Sequence, residues 1–422
     1  MKIENLNYFS YFCSMLINEN TWQFIRKHAN DDVRKLALQG SKEADIDLPM
    51  ALQQIAGRQT ARRKLPAWAE VEDVLYPPHL NMEQCSSEQT ARYKQQLVER
   101  LQTDKRTFID LTGGFGVDFY WMSQGFSRRV YVEQNAELCA VAEHNFAHLS
   151  LPCSVHNSDS TTFLSTIEGN ADIIYLDPAR RNEHGGRTYG IADCTPNVLQ
   201  LLPQLLEKSR FIVLKLSPML DWRKAVSDLQ EAAADCRQQK GSISEVHIVS
   251  VGNECKELLL VLSHDPTEHP KVVCVNDQQV FQVGTTPLAS ATTPCHDASP
   301  LSAPCFLYEP NSSIMKAGCF AEVERQFPVR QLSVNSHLFT SAVEIVDFPG
   351  RSFQISAISS MNKQELKTVL SGVERANITV RNFPLTPEQL RKKLKLKDGG
   401  DVYIFATTLP DGEHKLLLCR KI

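Results

Sequence analysis

A glycine-rich turn between a predicted strand and a predicted helix constrains the fold of this chain more than any other feature. The apolar run 107–111 predicts a short buried strand, and a helical pattern starts at residue 117. Between them, residues 112–116 read Thr-Gly-Gly-Phe-Gly. A strand, a glycine-rich turn and a helix form the first half of a nucleotide-binding βαβ unit. Glycine in such a turn lets the backbone approach a ligand where a Cβ atom would clash.

An acidic residue at the end of the next strand indicates what the turn binds. The predicted strand 129–133 ends at Glu133, and its distance along the chain from Asp110 is close to the roughly 20 residues expected for a carboxylate that binds ribose hydroxyls. A nicotinamide site usually has a third small residue after the turn, but Phe119 stands there. Asp110 is suited to the ammonium group of an amino acid moiety. S-adenosyl-L-methionine (SAM) carries such a group and no phosphate, so the sequence favours SAM over a dinucleotide.

A third motif, Asp177-Pro-Ala-Arg180, follows the predicted strand 171–176. The order Asp-Leu-Thr-Gly-Gly-Phe-Gly, Val-Tyr-Val-Glu and Tyr-Leu-Asp-Pro-Ala-Arg resembles class I SAM-dependent methyltransferases. Within that class, it is most similar to enzymes that methylate exocyclic amino nitrogens of nucleic-acid bases. The segment 378–408 is similar to the THUMP-like C-terminal module of one bacterial branch of these enzymes. Together, these similarities cover most of 86–422.

Strand and helix patterns alternate from residue 107 onward, which predicts a doubly wound, mostly parallel α/β sheet. The short connection between the last two predicted strands requires them to be antiparallel. The resemblance implies that seven strands form the Rossmann-like sheet of a class I methyltransferase. Strands are predicted at 107–111, 129–133, 153–156, 171–176, 210–216, 244–250 and 257–263.

The patterns also divide the chain into four parts. In the first part, Ser86 is predicted to cap the last helix. In the third part, a stretch rich in Pro, Ser and Thr is expected to be a loop or linker, with a hairpin before it at 271–283. The predicted parts are a helical N-terminal domain (1–100), a methyltransferase domain (101–265), a linker with a small α+β ferredoxin-like segment (266–345) and a THUMP-like α+β module (346–422).

We expect SAM to contact residues at the carboxyl ends of the first three strands, where open α/β sheets bind ligands. Asp110 and the glycine turn would hold the methionine end, Glu133 the ribose hydroxyls and Asp159 the adenine amino group. Alternatively, Asp110 could cap the next helix, Glu133 could be a solvated acid and Asp159 an ordinary turn residue. The complete predicted set is Asp110, Thr112, Gly113, Gly114, Gly116, Glu133 and Asp159.

Asp177 and Pro178 form the predicted chemical centre. The resemblance implies that the Asp177 carboxylate and the Pro178 carbonyl accept the two hydrogens of an exocyclic amine, so that its lone pair points toward the methyl group. Ala179 stands where the related enzymes carry a second proline, and Arg180 stands in place of an aromatic residue. The Arg180 guanidinium could still stack on a base. Alternatively, the Asp-Pro pair could simply form a turn without a chemical role.

Four further residues are candidates for substrate binding. Arg181, Arg187 and Tyr189 belong to the loop after the Asp-Pro motif, where they could contact phosphate or stack on a base. The arginines could equally be surface charges. Lys215 is a charge within the apolar strand 210–216, and it could reach the substrate or pair with a neighbouring acid.

The resemblance implies RNA as substrate and partner. Ala179 and Arg180 leave open a protein side-chain amide or a small metabolite as substrate. A non-catalytic RNA-binding protein that retains SAM is a third possibility, against which the intact Asp-Pro pair argues. The net charge of −4 means that the chain as a whole does not have the positive charge that is typical of nucleic-acid-binding proteins. RNA binding would depend on local patches such as 58–64 and 391–397, each of which could instead be a solvated helix face.

The 12 cysteines are scattered singly without a C-x-x-C pair, which favours reduced thiols in a cytoplasmic protein over a metal site. The apolar segment 8–17 is far shorter than the ~20 residues of a membrane span. It is expected to be a buried helix near the N-terminus. We therefore expect neither a metal nor a membrane as partner, and the sequence leaves monomer and dimer open.

Overall fold

The computed structural model describes residues 17–40, 45–180, 190–234, 241–284 and 305–422. It has two compact units, Met1–Ser244 with Leu259–Thr267 and Glu245–Leu258 with Glu268–Ile422. Arg181, Arg187 and Tyr189 lie outside the described residues. So do nearly all of the predicted N-terminal helix and most of the predicted linker.

The N-terminal part is helical, as the spacing of its apolar residues predicts. Several of its helices follow residues whose side chains accept hydrogen bonds from the first turn, such as Asn18, Asp32 and Asp47. The predicted cap of the last of these helices is wrong by one position. Ser87 accepts the bond from the N–H of Thr90, whereas the hydroxyl of Ser86 donates to a carboxylate. The helices are α1 (Glu19–Lys27), α2 (Val33–Gln39), α3 (Leu48–Lys64), α4 (Pro66–Ala69), α5 (His79–Gln84) and α6 (Glu88–Arg100).

The larger sheet contains the seven predicted strands and two more. The hairpin predicted at 271–283 supplies the extra strands, because its first strand pairs in parallel with the strand Ser242–Val251. The strands are β1 (Thr107–Asp110), β2 (Arg128–Glu133), β3 (Ser154–Asn157), β4 (Ala171–Leu176), β7 (Ser209–Leu216), β8 (Ser242–Val251), β9 (Glu254–Ser263), β10 (Lys271–Asn276) and β11 (Gln279–Val283). Their order is β11-β10-β8-β9-β7-β4-β1-β2-β3.

The central strands are parallel, so their carboxyl ends meet at one edge of the sheet. β1 lies between β2 and β4 with Ile109 paired to Val130 and Ile174, and β4 is followed by β7. Ligands of open α/β sheets bind at this edge. The helices that connect these strands are α7 (Val117–Met122), α8 (Ala136–His148), α9 (Ser160–Thr166), α10 (Val198–Lys208) and α11 (Trp222–Ala234). A short ribbon, β5 (Ala179–Arg180) with β6 (Cys194–Thr195), follows β4.

The strands of the C-terminal sheet are β12 (Cys305–Pro310), β13 (Arg330–Gln331), β14 (Phe339–Ser341), β15 (Gly350–Ser359), β16 (Asn377–Arg381), β17 (Val402–Thr408) and β18 (His414–Lys421). Their order is β13-β14-β12-β15-β18-β17-β16. Two hydrophobic clusters pack against this sheet, one around Phe353 and Phe405 and the other around Leu390 and Ile404. Its helices are α12 (Ser312–Ala317), α13 (Phe320–Gln326), α14 (Lys363–Val369) and α15 (Pro387–Leu394).

Within the described ranges, no helix has both the length and the apolar character that a membrane crossing requires.

Candidate active site

The glycine turn is folded tightly against β2. The N–H of Gly113 donates to the Val132 carbonyl at 2.8 Å, and a Cβ atom on Gly113 would lie 2.1 Å from the Tyr131 ring. Gly116 has a φ of +86°, and a Cβ atom there would lie 2.6 Å from the ring of Phe146. Both positions therefore require glycine, and the turn keeps its backbone close to the cavity.

Phe119 occupies the position where a nicotinamide site usually has a third small residue, and it explains how α7 packs on the sheet. Its ring is fully buried, 5.5 Å from the ring of Tyr131 and 5.1 Å from that of Phe146. The helix therefore packs on the sheet through an aromatic cluster instead of through close backbone contact.

Asp110 is the buried acid beneath the turn. Its side chain accepts a hydrogen bond from the N–H of Thr112 at 2.8 Å, and the residue is 1% exposed. Burial raises the pKa of this carboxyl well above its usual range, and the neighbouring carboxylates of Asp118, Asp177 and Glu133 raise it further. Asp110 does not cap α7, because the N-cap position is Gly116. A cationic group entering the cavity would stabilise its ionised form.

Thr112 connects the cofactor motif with the Asp-Pro motif. Its hydroxyl oxygen accepts a hydrogen bond of 2.6 Å from the backbone N–H of Asp177. The same oxygen lies 3.4 Å from Oδ1 of Asp110. The sequence predicts a role for Thr112 in the turn only, and the structure adds its contact with the chain after β4.

The other two predicted cofactor acids lie at the ends of β2 and β3. Glu133 accepts hydrogen bonds from the N–H groups of Gly114 at 2.9 Å and Asn135 at 2.8 Å. Asp159 is exposed and caps α9 by accepting from the N–H of Thr162 at 2.9 Å. Hydrogen bonds from Thr162 lower the pKa of Asp159. Asp159 is therefore a helix cap and not the ordinary turn residue of the predicted alternative, and it also lines the cavity.

The Asp-Pro motif begins directly after β4. Pro178 is buried, whereas the side chain of Asp177 is 39% exposed and lines the cavity. The backbone of Ala179 and Arg180 pairs with Thr195 and Cys194 in the β5–β6 ribbon. The ribbon fixes the direction in which the chain leaves the motif.

Lys215 pairs with neighbouring acids, which is one of the two roles that the sequence leaves open for it. Its Nζ lies 2.6 Å from Oδ2 of Asp177 and 3.3 Å from Oδ2 of Asp118. Asp118 also faces Nζ of Lys94 at 3.2 Å. Although burial alone would raise the pKa of Asp118, Lys94 and Lys215 outweigh it and lower that pKa well below its usual range.

Sequence reasoning missed Lys94 and Asp118. One signal could have found Lys94, because it recurs at helical spacing with the buried residues Ala91, Leu97 and Val98 of α6. A lysine on the apolar side of a helix needs a buried partner. No local pattern identifies Asp118 as that partner.

One cavity of about 580 Å³ lies at the carboxyl edge of the strands, and it is lined by the glycine turn together with Asp110, Asp118, Glu133, Asp159, Asp177 and Lys215. Among the described lining residues, Lys215 is the sole cationic side chain, whereas Asp110, Glu133 and Asp159 surround the turn. A diphosphate would meet three carboxylates there, but a ligand with an ammonium group and ribose hydroxyls fits them. Asn81 and Gln84 of α5 complete the wall.

The two basic runs have different surroundings. In the first, Lys64 donates to the carbonyls of Met82 and Glu83 at 2.7 Å, so it stabilises the end of α5. In the second, Arg391 pairs with Asp398 at 2.5 Å. Four lysines of the second run are exposed, namely Lys392, Lys393, Lys395 and Lys397.

Comparisons with known proteins agree with this architecture. A family described as THUMP domain-like matches residues 350–421, and one described as a ferredoxin-like domain matches 306–349. The crystal structure of a presumed methyltransferase from Porphyromonas gingivalis W83 is 30% identical, with a TM-score of 0.78, over 95% of this chain and 97% of that chain. An uncharacterized SAM-dependent methyltransferase found in two Mycobacterium tuberculosis strains, CDC 1551 and H37Rv, is 21% identical over 73% of this chain and 78% of its own length.

Proposed function

Because the chain belongs to the SAM-dependent methyltransferases that carry a THUMP-like domain, we propose that it methylates an exocyclic amino nitrogen of a base in structured RNA. SAM is its cofactor, and when bound it supplies an electrophilic methyl group on sulfur. The observation that carries the proposal is the position of Asp177, which follows β4 and shares one cavity with Asp110 and Glu133.

The cofactor residues follow from the charges around the turn. Asp110 would bind the ammonium group of the methionine moiety, which would stabilise its buried carboxylate. Glu133 would accept from the ribose hydroxyls, and the backbone of Gly113, Gly114 and Gly116 would lie against the cofactor. Asp159 would accept from the adenine amino group while it caps α9 through Thr162.

Asp177 and Pro178 would act on the substrate nitrogen. An exocyclic amine has its lone pair delocalised into the ring, and two acceptors on its hydrogens localise that pair on nitrogen. The Asp177 carboxylate and the Pro178 carbonyl would be these acceptors, and the carboxylate would also stabilise positive charge on the nitrogen. Positioning for in-line displacement would supply much of the rate, up to ~7–11 kcal/mol in favourable models.

The charge beside Asp177 favours a neutral nitrogen over an alkylammonium group. Lys215 already places an ammonium 2.6 Å from the Asp177 carboxylate. A protonated lysine substrate would therefore meet like charge at this point, whereas an amino group on a base or an amide nitrogen would not.

The THUMP-like match supports RNA as the substrate class. It covers residues 350–421, which include the exposed lysines of the second basic run. Lysine contacts with phosphate supply affinity without sequence readout. Arg180, Arg181, Arg187 and Tyr189 are the proposed residues for stacking and phosphate contact next to the reacting base.

The sequence at the Asp-Pro motif favours a second candidate. Ala179 and Arg180 replace the proline and the aromatic residue of the base-methylating enzymes. A protein side-chain amide, which is neutral and planar, would suit Asp177 and Pro178 without a stacking ring. A small metabolite with such a nitrogen is the corresponding non-protein substrate.

A methyl-labelling experiment separates these candidates. The purified protein is incubated with methyl-labelled SAM and a total extract of cells that lack its gene, and the RNA, protein and small-molecule fractions are counted. An Asp177→Ala variant with unchanged affinity for S-adenosylhomocysteine is the control. Label in RNA with the wild type alone supports the proposal, and label in protein or metabolites alone replaces RNA with the second candidate. SAM binding without label in any fraction favours a non-catalytic RNA-binding protein.

A further inference from the structure

Four charged side chains of alternating sign connect α6 with the reaction centre. Lys94 contacts Asp118 at 3.2 Å, Asp118 contacts Lys215 at 3.3 Å, and Lys215 contacts Asp177 at 2.6 Å. The exposed fraction of the side chains increases along this series, from 0% at Lys94 and 10% at Asp118 to 12% at Lys215 and 39% at Asp177. Only the last of the four is substantially accessible to a ligand.

Asp118 is the centre of this series. Its Oδ2 accepts hydrogen bonds of 2.8 Å from the hydroxyls of Ser86 and Tyr175, in addition to the bond from Lys215. Its other oxygen faces Lys94, whose Nζ also donates to Ser86 at 3.2 Å. These contacts come from α6, from Ser86 two residues before it, from β4 and from β7, so they fix the Asp118 carboxylate from several directions.

Such an arrangement is a poor way to stabilise a fold. The free energy needed to remove two ions from water is often larger than the free energy gained from their attraction in a buried pair. Apolar side chains of similar volume therefore often stabilise a fold equally well. The exposed end of the series is the residue proposed to accept the substrate hydrogen. The geometry points to a role in reaction chemistry.

We propose that Asp118 is a positioning residue that holds Lys215 on one oxygen of Asp177. Lys215 binds Oδ2, and the N–H of Asp177 is held by Thr112 at 2.6 Å. The carboxylate is thereby fixed at its backbone and at one oxygen, which directs the other oxygen to the substrate nitrogen. Asp118 also offsets part of the charge of Lys215, which reduces the repulsion between Lys215 and the positive charge that develops on the nitrogen. This role rests on the proposed position of Asp177 at the transfer point.

A pair of cofactor analogues tests the role without any substrate. Sinefungin has an ammonium-bearing carbon in place of the methylated sulfur of SAM, whereas S-adenosylhomocysteine has neither the charge nor the methyl group. The ratio of their affinities, measured by calorimetry, therefore reports the electrostatic environment of the transferred methyl group. The proteins compared are the wild type and the variants Asp177→Asn, Asp118→Asn, Lys215→Met and Asp118→Asn/Lys215→Met.

Asp118→Asn should weaken sinefungin about tenfold relative to S-adenosylhomocysteine, because Lys215 loses one of its two carboxylate partners and keeps only Asp177. Lys215→Met should have the opposite effect, because the Asp177 carboxylate loses a competing cation. In the Lys215→Met background, most of the effect of Asp118→Asn should disappear. The matched control is Asp172→Asn, which alters an acid that accepts from the N–H groups of Arg106 and Thr107 away from the cavity and should leave the ratio unchanged.

An unchanged ratio in Lys215→Met, or an equal effect of Asp118→Asn with and without Lys215, would overturn the positioning role. If Asp118→Asn does not fold, the direction of the Lys215→Met effect decides alone. The proposed function is tested separately by Asp177→Asn. If Asp177→Asn leaves the ratio of sinefungin affinity to S-adenosylhomocysteine affinity unchanged, the placement of Asp177 at the transfer point is contradicted. If Asp177→Asn lowers this ratio but Lys215→Met does not change it, only the role of Asp118 is contradicted.

Discussion

The hydroxyl oxygen of Thr112 accepts a 2.6 Å hydrogen bond from the backbone N–H of Asp177. This bond joins the glycine turn after β1 to the chain after β4, 65 residues later. Because this one side chain joins the proposed cofactor site to the proposed reaction centre, we expect a change in either motif to affect the other.

Thr112→Val should test this coupling, because valine has the same shape but cannot accept the bond. The Asp177 N–H would lose its partner, at a cost of about 1–3 kcal/mol if it stays dry. We expect the methyl-transfer rate to fall more than the affinity for S-adenosylhomocysteine. Thr166→Val is the control, since the Thr166 hydroxyl donates to the Phe163 carbonyl on an exposed surface. Equal losses of rate in both variants would contradict the coupling.

Gly113→Ala should abolish cofactor binding or unfold the turn. The new Cβ atom would lie 2.1 Å from the Tyr131 ring, which is itself fully buried and cannot move aside. Overpacking of this kind costs about 1–3 kcal/mol or more. Gly284→Ala has no atom within 4 Å of the added carbon and serves as control. Thermal unfolding and calorimetry with S-adenosylhomocysteine measure both effects, and a fully active Gly113→Ala protein would refute the tight fit.

Asp110→Asn should stabilise the ligand-free protein at neutral pH and weaken SAM binding. Burial raises the folded-state pKa of Asp110 above its unfolded value of 3.8. The folded protein therefore holds a proton that the unfolded chain releases, so stability is lost as pH rises through the window between these two pKa values. The variant removes that loss. Urea unfolding at several pH values should show a smaller decline between acidic and neutral pH than in the wild type, and an identical decline would contradict it.

SAM affinity should itself depend on pH, with the opposite sign. The ammonium group of the ligand favours ionised Asp110, so binding should release a proton and strengthen as pH rises through the raised pKa of Asp110. Calorimetry in buffers of different ionisation enthalpy measures the released proton. Asp110→Asn should bind weakly with no such proton release, and proton release that persists in the variant would assign it to another group.

Asp159 offers a way to separate capping from cofactor binding. Asp159→Ala should lower the free energy of unfolding by about 1 kcal/mol, because the cap of α9 is lost. Asp159→Ser retains a capping oxygen and should unfold like the wild type. If Asp159 also accepts from adenine, both variants should bind S-adenosylhomocysteine more weakly. Normal binding by Asp159→Ser would leave Asp159 with its capping role alone.

Local patterns predict much of this fold. β1, β4 and the second half of β2 contain short apolar runs, and the helix and strand bounds of the C-terminal module follow from apolar periodicity and turn residues such as Gly412. The cap of α6 shows the limit of such patterns. Ser86 matches the capping-box pattern because Gln89 stands three residues after it, yet Ser87 is the cap, and the hydroxyl of Ser86 instead contacts Asp118, 32 residues later.

The rest depends on contacts that no local pattern contains. Lys215 and Asp118 are 97 residues apart in the chain, and their pairing follows from the adjacency of β4 and β7 and from the packing of α7. The sequence shows that Lys215 is a charge in an apolar strand, but it does not predict which acid Lys215 pairs with. Likewise, the hairpin of β10 and β11 was predicted, whereas its pairing with β8 required the three-dimensional register.

The central claim is that Asp177 directs a methyl group to an exocyclic amino nitrogen of RNA. The most direct measurement incubates RNA from cells lacking the gene with deuteromethyl SAM and analyses the digested nucleosides by mass spectrometry. We predict one nucleoside with the heavy methyl group on its amino nitrogen, formed by the wild type and absent with Asp177→Ala. A heavy methyl group on a ring carbon or a ribose oxygen, or equal labelling by Asp177→Ala, would contradict the account.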